Sequence, residues 1–162
     1  MLLESFQDIS FFREENSEPL MEEILFPKQD MKSTTVFIIE REPNVANLIR
    51  YQLMSRQAKQ VQVFSNVSEC MYVLEKKSTP DFLVVDLDHP QINAPSFLKY
   101  ILHSFPKVKV LFISPHTENP IGSLLIEEGA TDFICKTGRL EDWIHELIKN
   151  MEFLIRENIQ AK

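Results

Sequence analysis

The chain has 162 residues, of which 44% are apolar and 25% are charged, proportions typical of a single globular domain with a substantial core. Its formal net charge is -7 and its pI is about 5.1, which argues against nonspecific binding to nucleic acid, since such binding neutralises phosphates with Lys and Arg. No apolar run is long enough to cross a bilayer and no signal peptide is recognisable, so we expect no membrane association and a cytoplasmic location.

The first 33 residues differ in composition from the rest of the chain and are predicted to form an N-terminal extension. Two short apolar and acidic segments flank polar residues around Pro19, and residues 1–30 hold eight acidic side chains against two basic ones. We expect these segments either to form helices that dock elsewhere or to remain partly disordered. Met31 is a second candidate start of the chain.

From Thr34 onward, short apolar runs alternate with segments of helical periodicity. The predicted strands are residues 34–40, 60–64, 81–86, 108–114 and 131–135. The predicted helices begin at Pro43, at a cap on Asn66 and near Ser96, Glu118 and Leu140. Strands that alternate with helices predict a doubly wound α/β domain over residues 34–150, with five parallel strands joined by right-handed crossovers.

The last predicted helix continues beyond the expected end of the domain, so residues 151–162 are a C-terminal extension of it. Its apolar stripe runs on through Met151, Leu154 and Ile155. Three roles stay open for this extension: it seats the N-terminal segments, pairs with a second copy of the chain, or frays.

Cysteine and histidine side chains suggest no separate reactive or metal site. Cys70 and Cys135 each lie in an apolar run and are predicted to be free, buried thiols. The four histidines, His89, His103, His116 and His145, have no partner at catalytic or metal-ligand spacing and are expected at or near the surface.

Polar side chains follow four of the predicted strands. Strand one ends in Glu40-Arg41-Glu42, strand three in Asp86, strand four in Ser114 and strand five in Lys136. The carboxyl ends of parallel strands converge on one crevice. Carboxylates, a hydroxyl and a lysine there predict a site for a metal ion and a phosphoryl group.

Four fragments in this order resemble the receiver domain of bacterial response regulators, the CheY-like family. They are "VFIIEREPNVANLIR", "PDFLVVDLDHPQINA", "VKVLFIS" and "GATDFICK". The resemblance covers roughly residues 34–150 and implies the flavodoxin-like receiver fold.

Carried over by position, the resemblance implies that Asp86 is the phosphoacceptor. Ser114 and Lys136 would contact the phosphoryl group, and Phe133 would be the aromatic switch. The implied partners are proteins, namely a histidine kinase or phosphotransfer protein. A second copy would bind through the fourth helix, fifth strand and fifth helix, or through the C-terminal helix.

The metal site departs from the family pattern, in which two adjacent acids after strand one help to hold Mg²⁺. Here that pair is Glu40 and Arg41, and Arg41 supplies a cation in place of an oxygen ligand. The candidate metal ligands are therefore Glu40, Glu42 and Asp86, with weak Mg²⁺ binding expected. Our hypothesis is that Arg41 pairs with Asp86 or Asp88; the alternative is that it points to solvent.

The sequence leaves two functions open and disfavours a third. "DLD" at residues 86–88 is the start of a phosphatase signature of the haloacid-dehalogenase type, but Pro90 and the late position of the strand argue against an enzyme. The favoured function is an atypical stand-alone receiver-like signalling module that acts through protein–protein contacts, with weakened or absent phosphorylation. The alternative is a regulator that takes a phosphoryl group on Asp86. No DNA-binding domain is expected after residue 150.

Overall fold

A computed structural model describes residues 30–116 and 120–161 of the chain. Five parallel strands form one sheet in the order β2-β1-β3-β4-β5. The strands are β1 (Thr35–Ile39), β2 (Gln60–Phe64), β3 (Phe82–Asp86), β4 (Lys109–Ser114) and β5 (Asp132–Cys135). The predicted doubly wound α/β fold is confirmed, and the bounds of each strand agree with the prediction to within one residue.

Within the described residues, five helices cover the two faces of the sheet. They are α1 (Pro43–Ser55), α2 (Val67–Lys76), α3 (Ala94–Ser104), α4 (Ile121–Glu127) and α5 (Leu140–Gln160). α1 and α5 pack on one face, whereas α2, α3 and α4 pack on the other. None of the described helices is long and apolar enough to cross a membrane.

The central strands are apolar along their length because both of their faces are covered. In β1, Val36 and Ile38 contact the α1 and α5 side, while Phe37 and Ile39 contact the other side. All five residues of β3 are buried. The last of these is Asp86, so burial continues to the carboxyl edge of the sheet and includes an ionisable side chain.

The starts of the helices follow their local sequence. Pro43 occupies the first turn of α1, and the side chain of Asn66 accepts a hydrogen bond from Ser68 N, as its predicted capping role requires. Asn93 caps α3 in the same way, so that helix begins two residues earlier than predicted. α4 was predicted to begin near Glu118, but residues 117–119 lie outside the described residues.

The long C-terminal helix is confirmed over 21 residues of α5. Its apolar stripe packs on the sheet through Trp143, Ile144, Leu147, Ile148 and Met151. The predicted N-terminal extension lies outside the described residues up to residue 29. Met31, the second described residue, is fully buried.

The two cysteines differ in environment. Cys70 lies in α2 and is fully buried, and burial raises the pKa of its thiol to about 12. Cys135 is only half-buried at the end of β5. Both are free thiols, as predicted, but full burial holds for Cys70 alone.

Candidate functional site

The carboxyl ends of three strands bring two acids and a lysine together. Glu40 follows β1, Asp86 ends β3 and Lys136 follows β5. Lys136 Nζ donates to Glu40 Oε2 at 2.8 Å and lies 3.4 Å from Asp86 Oδ1. The convergence expected from the sequence is therefore present in the structure for these three side chains.

This cluster is largely removed from water. The Glu40 side chain is fully buried, and the side chains of Asp86 and Lys136 are 9% and 14% exposed. The Lys136 ammonium also lies 5.8 Å from the centre of the Trp143 ring, within the range of a cation–π contact. One ammonium therefore compensates two carboxylates, which leaves the cluster with a net negative charge.

Backbone amides fix the orientation of both carboxylates. Glu42 N donates to Glu40 Oε1 at 2.9 Å, and Asp88 N donates to Asp86 Oδ1 at 3.2 Å. Each bond reaches back two residues, so the turn that follows each strand also holds the preceding acid.

The proposed pairing of Arg41 was wrong. Arg41 is exposed and makes no ion pair with Asp86 or Asp88 within the described structure. Lys136 is the cation beside Asp86, and His116 Nε2 lies 3.3 Å from Asp88 Oδ2. Lys136, and not Arg41, pairs with Asp86 because Lys136 directly follows β5 and lies in the pocket, whereas Arg41 lies in the turn after β1 and is exposed.

The three carboxylates predicted to bind Mg²⁺ are not gathered into one group. Glu42 is exposed, and residues 30–116 and 120–161 contain no set of three or more His, Cys, Asp or Glu side chains arranged to hold a metal ion. Glu40 and Asp86 remain as a pair of hard oxygen ligands. That number is sufficient for Mg²⁺, which commonly keeps several waters and uses one or two carboxylates.

Ser114 ends β4 and is completely buried. Its Oγ accepts a hydrogen bond from His116 N at 3.2 Å, and its carbonyl accepts one from Lys136 N at 2.7 Å. The hydroxyl makes no hydrogen bond to Asp86 or Lys136 among the described residues. Ser114 thus lies on the edge of the cluster and supports the backbone of Lys136.

Phe133 lies in β5 and is half-buried against α4. A methyl group added to Gly122 would come within 3.0 Å of Phe133 Cδ1. The ring therefore packs directly on the glycine, and its position depends on the small size of that residue. No contact joins Phe133 to Asp86 or Lys136 in the described structure.

His89 was expected near the surface, but it is 3% exposed. Its Nε2 lies 2.8 Å from Ser65 O, and its Nδ1 accepts from Gln91 N at 3.2 Å. The side chain of Gln91 accepts from Val67 N at 3.0 Å. These bonds attach the loop after Asp86 to the turn after β2. No motif or spacing in the sequence indicated this attachment.

Comparison with known proteins agrees with the geometry. The family model described as the response regulator receiver domain matches residues 36–148. The chain is 30% identical to the transcriptional regulatory protein CreB of Escherichia coli K12 over 108 residues, 65% of this chain and 45% of that protein. It is 27% identical to the Fimbriae Z protein of the same organism, over 71% of this chain and 55% of that protein. The chain thus spans about half the length of these relatives.

A solved structure shows the same fold. The signal receiver domain of a putative LuxO repressor protein from Vibrio parahaemolyticus superposes with a TM-score of 0.64 at 17% identity, covering 80% of this chain and 98% of that one. The family match extends over more than half of the chain and includes Glu40, Asp86, Ser114 and Lys136. This chain belongs to the response regulator receiver domain family.

Proposed function

We propose that this receiver domain signals mainly through protein–protein contacts and that its Mg²⁺-dependent phosphorylation is weak or absent. The observation that carries the proposal is the composition of the pocket. Among the described residues, the carboxylates that contact Lys136 in the pocket are those of Glu40 and Asp86, and Arg41 supplies no ligand.

The reasoning on Mg²⁺ is electrostatic. A divalent cation held by Glu40 and Asp86 must share both carboxylates with the Lys136 ammonium at 2.8 and 3.4 Å. Repulsion between like charges is strong at short range in a partly buried site. A third acid in place of Arg41 would offset this repulsion. Bound Mg²⁺ would shield the negative charge of an incoming phosphoryl group. If Mg²⁺ binds weakly, this shielding is reduced and phosphorylation of Asp86 is disfavoured.

The remaining assignments rest on position in the family pattern and on the described contacts. We assign Asp86 as the candidate phosphoacceptor and Lys136 as the cation that would contact a phosphoryl oxygen. Ser114 would contact a phosphoryl oxygen only after the hydrogen bond from His116 N to its Oγ is broken. Phe133 is the candidate switch residue, since its ring lies between the sheet and α4.

The test uses the native fluorophore of the pocket. Trp143 is the only tryptophan, and Lys136 Nζ lies 5.8 Å from its ring, so a ligand that draws Lys136 away should change its emission. We expect no saturable change when Mg²⁺ and beryllofluoride are added at millimolar concentration. The matched control is Asp86→Asn. A saturable change in the native chain that Asp86→Asn abolishes would overturn the proposal.

That outcome would support the second function, a regulator phosphorylated on Asp86 by a histidine kinase or phosphotransfer protein. The observation in its favour is that Asp86 and Lys136 keep the arrangement that phosphoryl transfer requires, an acid at a strand end with a cation 3.4 Å away. Incubation with a small phosphodonor followed by mass measurement would then show an adduct on Asp86.

The partner surface proposed from the family pattern consists of α4, β5 and α5. On α4, Leu124 and Ile126 are each 44% exposed, so this helix presents two large apolar side chains to solvent. They suit a protein partner or a second copy of this chain. Light scattering of the native chain and of Leu124→Glu tests self-association, since a dimer formed here would dissociate in the variant.

A further inference from the structure

A short turn leads the chain out of the sheet after Asp86. His89 N donates to Asp86 O at 3.2 Å and closes the turn, and Asp88 N donates to Asp86 Oδ1 at 3.2 Å within it. The first end of the turn is fixed by the sheet, because Asp86 belongs to β3 and Leu87 N donates to Ile113 O at 2.9 Å. The position of Asp88 N beside the carboxylate therefore depends on what fixes the other end, at His89.

The ring of His89 fixes that end. It is almost fully buried, and its Nε2 lies 2.8 Å from Ser65 O. Ser65 follows β2, whereas His89 lies in the loop after β3, and β1 separates these two strands in the sheet. Strands that are two places apart lie about 10 Å from each other. No backbone hydrogen bond joins the two segments among the described residues, so side chains make the connection.

The partners of the His89 ring determine where its proton lies. Ser65 O can only accept a hydrogen bond, so Nε2 must carry a hydrogen. Gln91 N can only donate one, so Nδ1 must be without a hydrogen. A neutral imidazole with its proton on Nε2 satisfies both partners. The other neutral tautomer satisfies neither of them, and a doubly protonated ring satisfies Ser65 alone.

Gln91 makes a second connection between the same two segments. Its Oε1 accepts a hydrogen bond from Val67 N at 3.0 Å, and Val67 is the first residue of α2. The first N–H groups of a helix have no partner within the helix. Asn66 caps Ser68 N, and Gln91 supplies the partner of Val67 N from another loop. We call the side chains of His89 and Gln91 together the His89–Gln91 latch.

The two carboxylate oxygens of Asp86 have different surroundings. Oδ1 accepts the hydrogen bond from Asp88 N and lies 3.4 Å from Lys136 Nζ. Oδ2 accepts no hydrogen bond from the described residues and is not closed off from solvent. One oxygen is thus engaged and the other is available to a ligand. This difference requires that the turn keep Asp88 N at Oδ1.

We propose that His89 is the positioning residue of Asp86. Through the His89–Gln91 latch it holds the turn so that Asp88 N remains bonded to Oδ1 and Oδ2 is left for a ligand. A ligand or partner that reorients the turn must also break the contact between His89 and Ser65. This role requires neither Mg²⁺ nor a phosphoryl group, so it holds whether or not Asp86 is phosphorylated.

The first test determines the tautomer of His89. The full-length chain is labelled with ¹⁵N, and a long-range ¹H–¹⁵N correlation spectrum of the histidine rings is recorded at neutral pH. The signals of His89 are identified by their loss in His89→Gln. We expect a ring with a proton on Nε2 and none on Nδ1. A proton on Nδ1 would overturn the proposal, because Gln91 N would then have no acceptor there.

The second test measures the exchange of the Asp88 amide with water by NMR magnetisation transfer, without Mg²⁺ or a phosphodonor. His89→Leu keeps an apolar side chain but removes both ring hydrogen bonds. We expect exchange at Asp88 to accelerate about fivefold, the factor that corresponds to about 1 kcal/mol for one hydrogen bond. His89→Gln retains an N–H that can reach Ser65 O and should restore most of the slow exchange. The amide of Val84, within β3, should not change.

Two further variants complete the comparison. His103→Leu makes the same change at an exposed position of α3 and should leave exchange at Asp88 unaltered. His89→Asn can accept from Gln91 N but is too short to reach Ser65 O, so it should behave like His89→Leu. Circular dichroism melting verifies that each variant folds.

Three results would overturn the positioning role of His89. The first is unchanged exchange at Asp88 in both His89→Leu and His89→Asn. The second is slow exchange that returns in His89→Asn and not in His89→Gln. The third is equal acceleration at Asp88 and Val84, since His89 would then support the whole fold and not the turn. None of these results bears on Mg²⁺ binding, so the proposed function would stand.

Discussion

The pocket and the contact between α1 and α5, which we call the α1–α5 seam, both contain buried ion pairs. In the pocket, the Lys136 ammonium lies within ion-pair distance of Glu40 and of Asp86. At the seam, Arg56 and Arg156 both lie within ion-pair distance of Glu152. The shared ion is therefore a cation in the pocket and an anion at the seam.

The comparison shows that the same physical device stabilises the two regions with opposite signs. A buried charge is costly unless it is paired, so we expect removal of the shared ion to leave unpaired carboxylates in the pocket and an unpaired guanidinium at the seam.

The largest expected effect comes from removing the shared ion of the seam. Glu152→Gln leaves Arg56 buried without a counter-ion, and we expect the free energy of unfolding to fall by about 3–5 kcal/mol. This free energy is measured by urea unfolding, monitored by circular dichroism. Glu157→Gln, an exposed change on the same helix, is the control and should stay within about 0.5 kcal/mol. A loss below about 1 kcal/mol for Glu152→Gln would show that the pair does not stabilise the fold.

The corresponding change in the pocket is Lys136→Met. It leaves Glu40 and Asp86 without their cation, and we expect a loss of about 3 kcal/mol, at the lower end of the range for broken buried pairs because Lys136 is partly exposed. Mg²⁺ at millimolar concentration should recover part of this loss in the variant and change the native chain little. Equal responses to Mg²⁺ in both proteins would contradict competition between Lys136 and the metal.

Arg41→Asp should strengthen the binding of Mg²⁺ to the pocket. Replacing a permanent cation by a carboxylate near Glu40 is expected to tighten Mg²⁺ binding about tenfold, which corresponds to about 1.4 kcal/mol. Isothermal titration calorimetry measures the affinity. Arg50→Asp, which makes the same charge change at an exposed position within α1, is the control. Unchanged affinity in Arg41→Asp would show that position 41 does not limit metal binding.

The smallest effect is expected where the ionic pair is exposed. His116 and Asp88 lie 3.3 Å apart across the pocket mouth with side chains 60% and 42% exposed. His116→Ala should change the free energy of unfolding by no more than about 1 kcal/mol, because solvent screens such pairs. The measurement is the same urea titration. A loss comparable to that of Glu152→Gln would remove the distinction between buried and exposed clusters.

The sequence predicted most of the fold and three side chains of the site for clear physical reasons. Strands covered on both faces are nearly continuous apolar runs, so β3 and β4 were recognisable from the chain alone. Parallel strands end at one edge of the sheet, so Glu40, Asp86 and Lys136 were expected together. The helix starts at Pro43 and Asn66 followed from local capping rules.

Other features depended on the tertiary structure. The favoured pairing of Arg41 with Asp86 or Asp88 was wrong, and its exposure fits the alternative that it points to solvent. The turn after β1 decides its direction, because strand alternation does not extend into a turn. His89 was expected near the surface, since nothing local indicates that Ser65 O is within its reach. The Arg56–Glu152 pair joins residues 96 positions apart. Periodicity and capping depend on residues that are close in the chain, so they can be recognised from the sequence. The pairing of charges that are distant in the chain depends on how the helices pack, so it requires the tertiary structure.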